Sequence, residues 1–412
     1  MSAIEGHEAT GAIAASTLAT AAAPGRVQGA ALGTPTVIER GAVAWEDGIV
    51  TYVGPVEDAP GAPEVLEGHT IVPGFVDCHT HLPFVGWRAD EFEARLSGAT
   101  YRDLHGREGG IFRSARLLAE ASDEDVLAFC RPLLAEMAAH GTTALELKTG
   151  YGLSVEGELR QARLARRLAA EAPQTCTVTL LACHAVPKGV ERADWVRSAC
   201  EELIPAAAAE GLSDAVDIYV EDIAFSLEDL RAIAAAAEAY GLPLRCHADQ
   251  LGPSGAAEVA AALGARSADH LNHVSEAGVA ALGSAETVSV LLPASTFFLR
   301  AAPPSARALI DAGAAVAIAT DFNPGTSPVL SMPEAIAVAC SLYGLTPLEA
   351  LTAATANPAS VLGLERRLGT LAPGMCADLV VLDGEAFREV PYRPGHDPVV
   401  RTVIGGIVAW ER

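Results

Sequence analysis

The sequence predicts an α/β fold, a (β/α)8 barrel of the TIM type set between two β-rich chain ends, and three observations predict it. Between about Ile71 and Leu364, eight short apolar runs closed by polar residues alternate with longer Ala/Leu/Glu/Arg stretches of helical spacing. Near-continuous apolar runs mark strands covered on both faces, and strands alternating with helices form right-handed βαβ units. Histidines and an aspartate collect at the ends of these runs, where a barrel gathers its reactive groups. An open doubly wound sheet would carry a Gly-x-Gly-x-x-Gly turn after its first strand, and none occurs.

Composition bounds what such a fold can do. The 412 residues suffice for one large barrel with an appendage. Half are apolar and 19% are charged, which excludes a disordered chain. Asp and Glu number 52 against 28 Lys and Arg, and the net charge of −24 repels phosphate backbones and anionic lipid. Neither a nucleic acid nor a membrane is therefore expected as a partner. No apolar run reaches the roughly 18 residues of a membrane span. Glu5 and Glu8 stand where a secretory signal carries basic residues, so a cytoplasmic location is expected. The eight cysteines include no Cys-x-x-Cys pair and read as reduced core residues.

Along the chain, residues 1–24 are small and Ala-rich without clear period and read as a tail of uncertain order. Residues 25–70 contain β-rich text from Thr36 to Gly54, broken by turn signals at Gly41 and Asp47-Gly48. The barrel is expected over 71–365, with strands in Ile71–Leu82, Thr142–Tyr151, Thr177–Val186, Ala215–Glu221, Leu244–Gln250, Ala268–Val274, Val288–Pro293 and Ala314–Asn323. Residues 366–412 return to strand-like runs at Ala377–Asp383 and Arg401–Gly406.

Six of the eight runs end in chemistry: His79 and His81, Tyr151, His184, His247 and Gln250, His270, and Asp321. Residues i and i+2 of a strand share a face, so His79 and His81 can converge on one ion. If the barrel closes, His247 and Asp321 join them around its mouth. The donor set of three imidazoles and one carboxylate suits zinc and iron alike, one divalent metal ion per subunit. A second ion would need a bridging anion such as a carboxylated lysine. The only lysines are Lys148 and Lys188, neither on the fourth strand; Glu221 does lie there and could approach the ion. Such an ion makes hydroxide available near neutral pH, which is hydrolytic equipment. Asp321 can then serve as ligand and as the base that returns a proton to the leaving nitrogen. His270 could donate a hydrogen bond to a developing oxyanion. No Gly-x-Ser-x-Gly elbow occurs, and Cys78 and Cys246, beside ligand histidines on strands, should face away from them.

These residues are similar to those of the amidohydrolase superfamily and, within it, of the imidazolonepropionase family. Pro73-Gly74-Phe75-Val76-Asp77-Cys78-His79-Thr80-His81 resembles the superfamily's first-strand signature. Finer motifs resemble the imidazolonepropionases in order: Glu91 to Tyr101, Lys148 to Leu153, His184 to Pro187, His247 to Leu251, Ser267 to Leu271 and Ala319 to Ser327. The resemblance covers about residue 70 to the end. It implies hydrolysis of the ring amide of 4-imidazolone-5-propanoate, a small anionic imidazolone, to N-formimidoyl-L-glutamate in histidine degradation. It implies metal ligands at His79, His81, His247 and Asp321, and substrate contacts at Arg88, Tyr151, His184, Gln250, Asn323, Gly325 and Thr326. Gln250 joins Asp321 and His270 in the catalytic set. The resemblance also implies a β-sandwich domain built from both termini and a homodimer. The Arg88 guanidinium has its own rationale, because a strongly acidic protein that binds a propionate must supply a local cation.

The chain departs from the family pattern at Cys78, at Trp87, at Asn272-His273 and across His105–Ser114, changes that bear on substrate detail more than on reaction type. The alternatives are an amidohydrolase acting on a related imidazolone or other cyclic amide, a heterocycle deaminase, and a catalytically silent scaffold. Deaminases of the superfamily place Glu three residues after the fifth-strand His, where this chain has Gln250, an amide that cannot shuttle a proton. A silent scaffold usually loses ligands, and all four are present.

Overall fold

The computed structural model describes residues 9–99 and 109–412. Among the described residues, sixteen strands form two sheets. The first five are β1 (Gly11–Thr20), β2 (Thr36–Glu39), β3 (Gly41–Glu46), β4 (Ile49–Pro55) and β5 (Glu64–Pro73). The barrel follows as β6 (Phe75–Asp77), β7 (Thr142–Lys148), β8 (Thr175–Cys183), β9 (Ala215–Val220), β10 (Leu244–Ala248), β11 (Ser267–His270), β12 (Val288–Leu291) and β13 (Val316–Ile318). The chain ends with β14 (Leu379–Asp383), β15 (Val399–Ile404) and β16 (Ile407–Glu411).

Strands β6 to β13 pair in sequence order, all parallel, as consecutive βαβ units require. Closure runs through the ends of the first and eighth strands: Thr80 bridges Phe322 in parallel, and the His81 amide donates to the Phe322 carbonyl at 2.9 Å. Asp77 ties the same seam, accepting from the Thr320 amide at 3.1 Å and its hydroxyl at 2.5 Å. The eight apolar runs thus become the eight barrel strands. The first run divides, however: Ile71–Pro73 belongs to β5 of the terminal sheet, and the barrel begins beyond Gly74.

The termini share a mixed sheet in the order β16-β15-β14-β5-β1-β3-β4, with β2 also paired to β1. Its interior joins Leu18, Val43, Trp45 and Ile71 to Leu379, Val381 and Val403, residues from both ends of the chain. The fold is therefore the barrel plus β-sandwich expected. The tail of uncertain order over residues 1–24 needs correction for residues 11–20. They form β1, which lies inside the sheet between β5, its parallel neighbour, and the antiparallel β2 and β3. Its text, Gly-Ala-Ile-Ala-Ala-Ser-Thr-Leu-Ala-Thr, is poor in the bulky residues that signal a strand. Small side chains suit this crowded position: Gly41 of β3 lies so close that an added Cβ would stand 2.4 Å from Leu18 Cβ.

All eight cysteines are free. Cys78 and Cys246 are buried in apolar clusters behind the strand ends, as the strand alternation predicts. Among the described residues, no helix is long and apolar enough to cross a membrane.

Candidate active site

His79 and His81 leave β6 two residues apart, and both rings are buried at the barrel mouth. His79 Nδ1 lies 2.6 Å from Asp269 Oδ2 at the end of β11. Its Nε2 therefore faces the mouth, where no group among the described residues bonds it. His247, on β10, repeats the arrangement: Nδ1 lies 3.1 Å from Asp217 Oδ2 of β9, and Nε2 has no hydrogen-bond partner among the described residues. Asp321 closes the group, its Oδ1 3.2 Å from His81 Nε2 and 3.6 Å from His79 Nε2. Two triads bring ligand atoms within 4.8 Å of one another, His79 with His81 and Asp321, and His79 with His247 and His270.

Buried ring nitrogens without partners are costly, and a carboxylate beside them is costlier still. A divalent cation satisfies both, and carboxylate-backed imidazoles are what such an ion takes. The residues fit the ion. Burial holds the His79 and His81 rings well below the usual histidine pKa and drives His270 down to about 3, so all three are neutral. Burial lifts the Asp321 carboxyl above its ordinary value. Although burial alone would raise Asp217 too, His247 and the Lys148 ammonium hold it well below the carboxylate range. Backbone strain marks the same strand ends: φ is +79° at His270 and +55° at Asp321.

A cleft opens beside these side chains, lined by Arg88, Tyr151, His184, Gln250, Asn323 and Thr326. Arg88 precedes the helix Ala89–Leu96 and is buried. Its Nε and Nη1 have no hydrogen-bond partner among the described residues, and the nearest carboxylate, Glu91, is 3.7 Å from Nε. Gly325 lies directly under this guanidinium, where a Cβ would stand 1.5 Å from Nη2, so only glycine fits. His184, after β8, has its Nδ1 3.0 Å from the Gly150 carbonyl, and its ring stacks on His81 at 5.3 Å. Gly150 is in the left-handed region, φ +114°, and a side chain there would meet that ring at 2.8 Å. Tyr151 is fixed from below, its amide donating to Gln161 Oε1 at 2.9 Å, with Gln161 and Glu158 on the helix Val155–Glu171.

Asn323 lines the cleft but organises its own loop. Its Oδ1 accepts from the Gly325 and Thr326 amides at 2.9 and 2.8 Å, and its Nδ2 donates to Thr326 Oγ1 at 2.8 Å. Gln250 sits in the loop after β10, half-buried. That loop is held by Glu221, whose Oε1 accepts the Gln250 and Leu251 amides at 2.6 and 2.8 Å. Glu221, which the sequence places where it could approach the ion, joins neither of the two triads. Burial, with Asp249 and Asp222 nearby, pushes its carboxyl up to about 7.

Sequence reasoning passed over Tyr219 and Ile111, which also line the cleft, and the buried Asp217 and Asp269. For Tyr219, Asp217 and Asp269 the signal was a polar group inside an apolar strand, which in a barrel points inward; Ile111, at the start of a helix, carried none. Of the departures, Trp87 packs on Phe84, Phe129 and Phe322. Asn272 bonds Thr296 Oγ1 at 2.9 Å and the Ala302 carbonyl at 2.8 Å. Residues 105–108 of the glycine-rich loop, and Thr100-Tyr101, lie outside the described residues.

Comparison with known proteins bears on this site. The model of the amidohydrolase family matches residues 70–408. The imidazolonepropionase of Deinococcus radiodurans is 44% identical over 385 residues, 93% of this chain and 95% of its own length. Those of Xanthomonas oryzae pv. oryzae and Mesorhizobium japonicum are 42% and 43% identical, over 90% and 88% of this chain and 94% and 91% of their own lengths. Among solved structures, a zinc-bound adenosine deaminase from Xanthomonas campestris superposes with TM-score 0.70 at 20% identity, covering 96% of this chain and 92% of that one. A guanine deaminase of E. coli superposes with TM-score 0.71 at 18% identity, over 98% of this chain and 100% of its own. At such identities the structural likeness speaks for the fold alone.

Proposed function

The chain belongs to the amidohydrolase family and, within it, to the imidazolonepropionases, and from that premise we infer its reaction. It hydrolyses the ring amide of 4-imidazolone-5-propanoate to N-formimidoyl-L-glutamate in histidine degradation. The observation that carries the substrate side is Arg88, a buried guanidinium in the same cleft as the histidine cluster, whose Nε and Nη1 have no hydrogen-bond partner among the described residues, Glu91 standing 3.7 Å from Nε. A buried cation needs an anion, and a propionate carboxylate matches its fork.

His79, His81, His247 and Asp321 would hold the divalent ion. Bound there, such an ion would supply Lewis acidity for the scissile carbonyl and a source of hydroxide near neutral pH. The chain's own residues then have separate tasks. Arg88 anchors the carboxylate, with Thr326 and Asn323 shaping the loop that carries Gly325 beneath it. His184, neutral and with Nδ1 committed to Gly150, offers Nε2 as an acceptor to a ring N–H, and Tyr151 packs beside it. Asp321 accepts the proton of the attacking water and returns it to the ring nitrogen as the C–N bond breaks; a carboxyl raised by burial suits both halves of that task. His270, neutral, donates its N–H to the developing oxyanion. Gln250 steadies the ring through its amide, which cannot shuttle a proton and so separates this site from heterocycle deamination. One ion per subunit, zinc or iron, a homodimer and a cytoplasmic location belong to the same reading.

The test is to follow loss of the ring chromophore of freshly generated 4-imidazolone-5-propanoate and to identify the product by mass. Arg88→Met should raise KM by on the order of 100-fold while kcat changes less, the loss expected for a charge-assisted carboxylate clamp. An unchanged KM would move the carboxylate elsewhere.

A further inference from the structure

Beneath the ligand histidines lies a set of charges that the reaction above does not use. Glu146, Lys148, Asp217, Arg245 and Asp269 are all essentially excluded from solvent. Strand alternation places them inside the barrel: Glu146 and Lys148 are i and i+2 on β7, and Arg245 and His247 are i and i+2 on β10. Their contacts form a continuous sequence. From His247 Nδ1 it passes to Asp217 Oδ2 at 3.1 Å and to Lys148 Nζ at 2.7 Å. Lys148 Nζ lies 2.9 Å from Glu146 Oε2, whose other oxygen pairs with Arg245 Nη1. Arg245 Nη2 reaches Asp269 Oδ2 at 2.8 Å, and Asp269 bonds His79 Nδ1 at 2.6 Å.

We propose that Glu146, which touches neither histidine, is a positioning residue for the metal site. By joining Lys148 to Arg245 it closes a chain of alternating charges that locks the imidazoles of His79 and His247 as a pair, with both Nε2 atoms turned to the mouth. The inference rests on the reading that these two histidines are ligands. The physical argument is compensation. Each aspartate faces the Nδ1 of its imidazole and is itself held by a cation: Asp217 by Lys148 at 2.7 Å, and Asp269 by Arg245 at 2.8 Å with Lys148 more distant at 4.0 Å. The two cations are close enough to repel, and Glu146 lies between them. Three carboxylates against two cations also leave the floor of a cation site one charge negative. Glu146→Gln keeps the volume and removes the central charge. Lys148 and Arg245 then compete for Asp217 and Asp269, and the two imidazoles lose their shared reference.

The test uses the full chain, stripped of metal and titrated with zinc against a chromophoric chelator. For Glu146→Gln, zinc should bind with unchanged stoichiometry and a Kd weaker by roughly 10- to 100-fold, the range seen when partners behind metal ligands are removed. Circular dichroism and Tm report whether the variant is folded. A folded variant with wild-type zinc affinity overturns the proposal for Glu146 and leaves the ligands standing. A wild-type protein that binds no zinc or iron overturns the ligand reading and this inference together. If Glu146→Gln does not fold, 15N-histidine NMR of the metal-free wild type decides. Two fixed Nδ1–H tautomers at His79 and His247 before any metal is added support the chain, and rings that exchange tautomers overturn it.

Discussion

Asp321 carries the largest single expectation at the scale of residues, because it is asked to be ligand, base and acid. It is buried, its oxygen lies between His79 and His81, and Asn323 Nδ2 donates to that oxygen at 3.2 Å. Asp321→Asn keeps the shape and removes the proton acceptor. Its kcat should fall by about 10²- to 10⁴-fold, the usual contribution of a positioned acid–base group, with the fold intact by circular dichroism. Retention of wild-type turnover would assign the proton transfer to another residue. The convergence of His79, His81, His247 and Asp321 was legible, since His-x-His on a strand and single polar residues at later strand ends are local patterns. The buried charges behind them were not. Asp217 serves His247 and Asp269 serves His79, pairs 30 and 190 residues apart that only barrel closure brings together. A Lys or Arg in an apolar strand hinted at this layer, and no periodicity says which carboxylate it will meet.

Among elements, the loop after β10 shows how a strand end is turned into a site. Asp249, at φ +52°, reverses the chain and accepts the Ser254 and Gly255 amides at 2.7 and 3.0 Å, while Glu221 at the end of β9 holds the Gln250 and Leu251 amides. The Gln250 side chain is thereby presented from a loop pinned at both ends. Removing Glu221 leaves two partly buried N–H groups without their acceptor, a loss of roughly 1–3 kcal/mol in the loop's native position. Glu221→Ala should raise KM and lower kcat together, each by about 3- to 10-fold, while Glu221→Gln, which keeps an acceptor oxygen, should stay within about twofold. Equal losses in both variants would mean that the charge itself takes part. The sequence placed Glu221 at the right strand end and left its neighbour open, because a strand-end carboxylate can turn to the ion or to the adjoining loop with no change in pattern.

For the whole molecule, the barrel was readable because eight buried strands write eight apolar runs, and a parallel sheet repeats its βαβ unit. The terminal domain was half readable. The strands from β2 to β4 and from β14 to β15 have turn-bounded text, whereas β1 is Ala-rich and owes its conformation to three partners distant in sequence. Tertiary pairing overrides a weak local preference there. A chain beginning at residue 25 should therefore lose the middle of its terminal sheet and be recovered insoluble or with a strongly lowered Tm. Wild-type stability on that truncation would return residues 11–20 to the status of a tail.

The most direct test of the account is turnover of 4-imidazolone-5-propanoate by one preparation, stripped of metal and then reloaded stepwise with zinc or ferrous iron. Activity should disappear on stripping and return in proportion to metal up to one equivalent per chain, with N-formimidoyl-L-glutamate as the product. A stripped protein that is fully active, or a reloaded one that leaves the imidazolone ring closed, would contradict it.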